Sequence, residues 1–380
     1  MDSRQLTILQ LLPALESGGV ERGVIEVAGA VAQSGHRSLV VSAGGRLVDQ
    51  LLDEGSEHFA MPVGVKSPVT LRCIPQLRRL LIEERVDVVD IHSRLPGWVT
   101  WMTLATMPSA VRPRFISTLH GLHSVNAYSS IMCRGDYVVA VSHAVNNYIR
   151  DHYSWVPESR VRVIPRGVDS EEFPRGYYPD AQWEMEFYRE FPKLKGQMLV
   201  TLPGRVTRLK GHLDLLHSIH QLRKRGLSVH GLIVGDCPSG KTDYLTELKQ
   251  TIHKLGIEDF VTWIGHRADV KNIYAISRAV VSLSQKPEAF GRTVAESLSI
   301  GTPVLGYAHG GVTEILNAQF PQGTIAPGDV NALTDRAEEL LTSGHSPFIG
   351  SNPFDKRAML QATLALYEQT ARVNSSRAAA

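Results

Sequence analysis

Short apolar runs recur along the chain, each closed by turn residues and most followed by a stretch with helical spacing. Residues 6–12, 39–42, 86–91, 115–118 and 137–142 read as buried strands, because their apolar positions are near-continuous rather than alternating. A second series begins near Met198, with runs at 199–202, 229–234, 279–284 and 301–306. Helical character appears at 213–219, 244–248, 293–300 and 309–315, the third of these stopped by Gly301-Thr302-Pro303. Strands alternating with helices in this way predict a doubly wound α/β architecture, built twice.

A segment rich in Pro, Gly and Tyr at 165–179, followed by the amphipathic 183–189, separates the two series. The expected organisation is a first domain at 1–185, a second at 186–350, a C-terminal helix within 351–373 and a disordered tail at 374–380. At 380 residues the chain is long enough to bury two sizeable cores. Residues 6–12 lack the basic flank and cleavage site of a signal peptide, and 98–107 are too short and mixed to span a bilayer. A cytoplasmic protein is therefore expected.

Chemistry enters through the loops that precede helices. Pro287-Glu288-Ala289-Phe290-Gly291-Arg292-Thr293 joins a strand to a helix, with Glu288 in the loop and Glu296 about one turn into the helix. Backbone N–H groups and the positive helix end can hold a diphosphate or a sugar oxygen there, and Gly291 lets a ligand approach. The two carboxylates can accept hydrogen bonds from hydroxyls, one of a transferred sugar and one of a ribose. The plain alternative is an exposed loop charge and a solvated helix charge. Arg205 and Lys210 flank a similar loop before Gly211, and His309-Gly310-Gly311 opens a third. Arginine offers phosphate a planar fork and lysine a mobile point charge. Three such loops in one half argue for nucleotide binding at the carboxyl ends of parallel strands. In the first half, Gly18 and Gly19 give a comparable loop after the first strand.

The formal net charge is +2 and there is no long basic run, so nucleic acid is not an expected partner. Cys73, Cys133 and Cys237 are scattered without metal spacing, which suits a reducing compartment. His92, His120 and His123 could suggest a metal site, but no carboxylate completes a ligand pattern and no Asp-x-Asp occurs. No metal or other cofactor is expected. One motif points to another class: Gly235-Asp236-Cys237-Pro238-Ser239-Gly240-Lys241-Thr242 satisfies the phosphate-loop pattern and lies between a strand and a helix. The strand at 280–284 carries no Asp for the magnesium ion that such a site needs.

Arg205 through Lys210-Gly211, Glu288 and Glu296 with seven residues between them, and Gly301-Thr302-Pro303-Val304 with Gly310-Gly311-Val312-Thr313-Glu314 together resemble the retaining glycosyltransferases of family 4. The resemblance extends through Gly18-Gly19-Val20-Glu21-Arg22, Thr118-Leu119-His120-Gly121, Val139-Ala140-Val141-Ser142 and Val163-Ile164-Pro165-Arg166-Gly167-Val168-Asp169, and so covers most of the chain. It implies a GT-B fold: two Rossmann-like domains facing a donor and acceptor cleft, the first on the acceptor side, with the last helix crossing back to it. It implies a retaining, metal-independent hexosyl- or glycosyltransferase using a nucleotide-sugar, best read as UDP-linked. Arg205, Lys210, Glu288 and His120 would be catalytic, with His120 against the donor sugar. Gly18, Gly19, Arg205, Lys210, Phe290, Gly291, Arg292, Thr293 and Glu296 would bind the donor. Arg94 and Trp98 would line an acceptor groove or simply pack. The wording at 288–293 is closest to transferases of bacterial lipopolysaccharide core assembly, which implies a glycolipid or polysaccharide-precursor acceptor. It also implies peripheral contact with the inner membrane's cytoplasmic face, supported only by Arg72, Arg78, Arg79 and Arg85. Two other readings stay open: a phosphate-loop NTPase or kinase, and a sugar-nucleotide-binding protein without transfer activity.

Overall fold

The computed structural model describes residues 4–16, 18–237, 242–343 and 348–378. The chain divides into two compact units: Met1–Pro165 with Arg357–Ala380, and Arg166–Lys356. The first unit holds β1 (Thr7–Leu11), β2 (Arg37–Ser42), β3 (Glu57–Ala60), β4 (Val88–Ile91), β5 (Arg114–Leu119), β6 (Tyr137–Ala140) and β7 (Val161–Val163). They form a seven-stranded sheet ordered β3-β2-β1-β4-β5-β6-β7. The second unit holds β8 (Met198–Pro203), β9 (Val229–Val234), β10 (Val261–Trp263), β11 (Ala279–Ser282), β12 (Val304–Tyr307) and β13 (Thr324–Ile325), in a six-stranded sheet ordered β10-β9-β8-β11-β12-β13.

All pairings are parallel, as Ile8 with Val88 in the first sheet and Val280 with Thr201 in the second illustrate. A parallel sheet is covered by helices on both faces, so its central strands must be apolar throughout. β9 and β11 are accordingly buried at every position. Both units are doubly wound and Rossmann-like. Strand order reverses between β1 and β4 in one and between β8 and β11 in the other. In open α/β sheets the carboxyl side of such a reversal is where ligands sit.

The unit boundaries differ from those expected at 185 and 350. The helix Ala181–Glu190 packs on the second unit: Phe187 lies in a cluster with Leu199, Leu232, Val234 and Ile273, and Trp183 Nε1 donates to Asp269 at 2.8 Å. At the other end Val168 pairs in parallel with Asp355, and Lys356 Nζ lies 2.5 Å from Asp169, which keeps 351–356 with the second unit. The last helix, Lys356–Ala378, stays helical through 374–378, where the sequence suggests a disordered tail. Met359, Leu366, Tyr367 and Ala371 of this helix join Leu6, Ile8, Val31 and Val88 in a core of the first unit. Burial of Met359 and Leu366 contributes roughly 1.5–3 kcal/mol each.

One polar contact fixes that helix. Tyr367 Oη donates to Asp90 Oδ2 at 2.7 Å, and Thr118 Oγ1 donates to the same carboxylate at 2.9 Å. Asp90 sits inside β4 and is 1% exposed. Burial pushes its carboxyl up to about 7, against the hydrogen bonds from Tyr367 and Thr118, which pull it down. Its pKa is thus higher folded than at the ordinary value of 3.8, so the folded chain binds the proton more tightly. Stability from this group is present below 3.8 and falls as pH rises toward about 7. Asp90→Asn is expected to flatten the pH dependence of unfolding free energy across that window. Denaturant titrations at several pH values would check this, and an unchanged slope would refute it.

Among the described residues no helix is long and apolar enough to cross a membrane. All three cysteines are free, and burial drives the Cys133 thiol up to about 12.

Candidate functional site

In the second unit, the loops leaving β8, β11 and β12 converge at the strand-order reversal. The chain turns after β8 at Gly204, runs through Arg205 to a short 3-10 turn, Arg208–Lys210, and enters the helix His212–Lys224 through Gly211. Gly211 has φ 72°, and a Cβ there would lie 2.1 Å from the Leu283 carbonyl oxygen. Only glycine fits that approach. Gln285 N donates to Leu209 O at 2.7 Å, which ties the β8 and β11 loops backbone to backbone.

Across this junction Lys210 Nζ meets Glu288 Oε1 at 2.6 Å. Ser284 Oγ donates to the same oxygen, and His309 Nε2 donates to Ser284 O at 2.5 Å. Glu288 is also paired with Gly310 in a parallel bridge, and Gly311 N donates to its carbonyl at 2.8 Å. Burial alone would raise the Glu288 carboxyl, but Lys210, Ser284 and His309 outweigh it and hold it below the usual carboxylate range. Glu288 is therefore an ionised acceptor, 22% exposed, beside a lysine 29% exposed. Arg205 is exposed at the same loop. Lys210 and Glu288 thus meet from neighbouring loops, and Arg205 lies on the same loop as Lys210.

Other expected binding residues occupy different environments. Glu296 is 3% exposed, with Oε1 at 2.8 Å from Arg292 Nε and Oε2 accepting from Tyr274 Oη at 3.2 Å. It lies inside the unit rather than at its surface. Phe290 is 7% exposed and packs against Phe354 with ring centroids 5.6 Å apart, so it shapes the loop by filling the core. Gly291 has φ 105°, and a Cβ there would meet Val312 Cγ2 at 2.8 Å. Its lack of a side chain is thus required by loop packing in this structure. Thr293 is half-buried in the first turn of the helix Arg292–Ile300, and its carbonyl accepts from Ser297 Oγ.

In the first unit the loop after β1 leads through Gly18, with φ 144°, into the helix Gly19–Gln33. A Cβ at Gly18 would meet Glu21 Oε2 at 2.6 Å, whereas one at Gly19 would meet nothing within 4 Å. His120 follows β5 and His92 follows β4. His120 Nε2 and His92 Nδ1 are 2.8 Å apart, and the rings stack with centroids 5.1 Å apart. His92 Nε2 faces Gln10 Oε1 at 3.0 Å. Arg94 reaches Ser129 Oγ at 3.3 Å and lies over Tyr128, while Trp98 Nε1 donates to Tyr128 O at 2.9 Å. Among the described residues no group of three or more His, Cys, Asp or Glu is placed to hold a metal ion. Within the phosphate-loop match at 235–242, residues 238–241, with Lys241, lie outside the described residues.

Sequence reasoning named His309 only as part of a Gly-rich turn, and it left out Ser284 and Tyr274 in the second unit and Gln10, Asp90 and Tyr367 in the first. Asp90 alone carried a legible signal, as a carboxylate in the middle of an apolar run.

The geometry defines a class first: two Rossmann-like units, one carrying phosphate-type loops with an ion pair at its strand-order reversal. Two family models match in tandem, Glycosyltransferase Family 4 over residues 17–172 and Glycosyl transferases group 1 over residues 184–357. The chain belongs to this group 1/family 4 class of glycosyltransferases and has the GT-B fold. A glycosyltransferase from Rickettsia africae ESF-5 superposes with a TM-score of 0.85 at 29% identity, over 97% of this chain and 99% of that one. Anabaena HepE, in complex with UDP-glucose, superposes with a TM-score of 0.80 at 21% identity, over 98% of this chain and 100% of that one. N-acetyl-alpha-D-glucosaminyl L-malate synthase of Bacillus anthracis is 24% identical over 283 residues, covering 72% of this chain and 70% of that protein.

The loop junction makes a direct prediction. Gly310 has φ 65°, and a Cβ there would sit 2.2 Å from the Glu288 carbonyl oxygen, whereas one at Gly328, φ 79°, would meet nothing within 4 Å. Gly328→Ala should cost about 1–2 kcal/mol of backbone strain. Gly310→Ala should cost about 1–3 kcal/mol more, because the Glu288 loop must move. Denaturant midpoints would measure both, and equal losses would show that the contact is not limiting.

Proposed function

We propose that the chain transfers a sugar, with retention of anomeric configuration and without a metal ion, from a UDP-sugar to a hydroxyl of a glycan or glycolipid precursor. The observation that carries this is the Lys210–Glu288 ion pair, which joins the β8 and β11 loops at the reversal of strand order. When the bond from the anomeric carbon to the diphosphate breaks, negative charge builds on the departing oxygen. Arg205 and Lys210 stabilise it, the arginine through two parallel donors. Lys210 exchanges part of its pairing with Glu288 for the diphosphate, and the ionised Glu288 then accepts from hydroxyls of the sugar. Its lowered pKa suits an acceptor and not a proton donor. The acceptor oxygen bonds to the anomeric carbon and gives its proton to the leaving phosphate. Glu296 acts on the nucleotide side through its contact with Arg292. His120 takes a sugar hydroxyl as its partner.

The UDP assignment is supported by HepE, a neighbour in fold that binds UDP-glucose. The glycolipid acceptor, as in lipopolysaccharide core assembly, is supported by the wording of 288–293. Peripheral membrane contact at the cytoplasmic face belongs to the same reading: Arg72, Arg78 and Arg79 are exposed beside Leu71 and Ile82, 56% and 42% exposed.

A thermal-shift panel with UDP, GDP, ADP and ATP, each with magnesium or with chelator, tests the donor. A rise with UDP that does not need magnesium is expected. Stabilisation by ATP only, and only with magnesium, would favour the phosphate-loop reading instead. In transfer assays, Arg205→Ala and Lys210→Ala should each lower kcat about 100-fold or more. Normal turnover in the double variant would end the leaving-group assignment.

A further inference from the structure

The helix Arg94–Ala105 follows β4 and so starts at the carboxyl edge of the first sheet. Its buried positions are Pro96, Gly97, Val99, Thr100, Thr103 and Leu104. Arg94, Trp98 and Trp101, spaced i, i+4 and i+7, share a different face and extend over about 10 Å of the axis. The Trp98 and Trp101 rings meet edge to face, with centroids 5.6 Å apart. Beyond Trp101 the Arg134 guanidinium lies 5.8 Å from that ring's centroid and 5.7 Å from the centroid of Trp155, so one charge stands against two indoles. Large aromatic side chains are mostly buried, yet Trp101 and Trp155 are 39% and 50% exposed. Among the described residues neither Arg94 nor Arg134 forms an ion pair, and Asp136, close to Arg134 in sequence, is taken by Arg114. Exposed rings with uncompensated guanidinium groups make this face suited to a ligand that is both flat-sided and anionic.

We propose that this face binds an acidic oligosaccharide, with sugar rings against Trp101 and Trp155 and an acidic group on Arg134. A pyranose presents a face of C–H bonds, which the negative face of an indole attracts. The guanidinium offers an acidic group two parallel donors, and a planar fork already resting on rings has little freedom left to lose. An anionic membrane surface would also meet arginine and tryptophan. Here, however, inserting the two indoles among acyl chains would carry the charge of Arg134 in with them, which is costly. The face begins two positions after His92, so a glycan lying along it runs toward the carboxyl edge where His92 and His120 stand. That this glycan supplies the hydroxyl to be glycosylated rests on the function proposed above; that it binds does not.

Calorimetric titration of the full chain with hexameric oligogalacturonate, in the absence of any nucleotide-sugar, tests the surface. Maltohexaose serves as the uncharged arm, and vesicles of phosphatidylglycerol and phosphatidylcholine as the membrane arm. The acidic hexamer should bind about tenfold or more tighter than the neutral one. Arg134→Ala and Trp155→Ala should each weaken that binding about tenfold, and Arg134→Lys should recover only part of it. All three substitutions are at exposed side chains, so the fold is retained, which circular dichroism checks. No binding of the acidic hexamer, equal binding of the two hexamers, or unchanged binding in both alanine variants overturns the proposal. So does binding to the vesicles alone that both alanine variants abolish. Glycan binding as expected in a chain that transfers no sugar leaves the surface standing and ends the proposed function; sugar transfer by a chain that binds no acidic hexamer does the reverse.

Discussion

Every strand in both sheets runs parallel to its neighbours, and that constraint decides where chemistry can sit. Parallel pairing sends each crossover through a helix and returns each strand with its carboxyl end at the same edge. The loops that leave that edge are then neighbours by construction. At most positions a helix follows at once and fills the space. Between β8 and β11 the strand order reverses, and in open α/β sheets such a reversal leaves a crevice between the loops that flank it. Lys210 and Glu288 come from these two loops, 78 positions apart in sequence, and meet at 2.6 Å.

The ion pair is suited to exchange because it is neither buried nor fully solvated. A fully exposed pair is worth little, and a fully buried one leaves a stranded charge when it is broken. With exposures of 29% and 22%, both groups keep access to an incoming ligand while the surrounding backbone holds them in place. That backbone is rigid for steric reasons: Gly211 and Gly310 bring their loops so close that a single Cβ would fall on a carbonyl oxygen of the next loop. The pair thus joins a flexible lysine to a carboxylate whose loop is fixed.

Much of this was legible before any coordinates, and the parts that were not share a physical cause. The central strands were readable because burial on both faces demands continuous apolar sequence. The four strands that gave no signal, β3, β7, β10 and β13, are the outermost strands of the two sheets. Half-solvated, short and mixed in composition, they look like loops. The meeting of Lys210 and Glu288 was foreshadowed because both lie in loops between a strand and a helix of one doubly wound unit, and such loops share an edge of the sheet. The packing of Phe290, Gly291 and Glu296 was not legible, because it depends on distant segments that carry Phe354, Val312 and Tyr274. The domain boundary moved for the same reason, since Trp183 and Phe187 find their partners in residues that follow them by tens of positions.

The first unit uses a different electrostatic strategy at its own reversal of strand order. Where the second sets opposite charges against each other near solvent, the first buries a hydrogen-bonded polar cluster: Gln10, His92, Thr118, Tyr367, and Asp90 at 1% exposure. An isolated carboxylate there would be costly, and its three hydrogen bonds from two hydroxyls offset only part of that cost. The retained cost makes sense if the carboxylate fixes geometry rather than stability. Tyr367 belongs to the final helix, so the same carboxylate that lies 3.8 Å from His92 also registers the chain's last long element on the sheet. Docking of that helix and the orientation of the histidine pair are thus coupled through one buried group. A helix docked out of register would leave Asp90 short of a donor and His92 beside an unsatisfied carboxylate, and the penalty for that error selects the single arrangement observed.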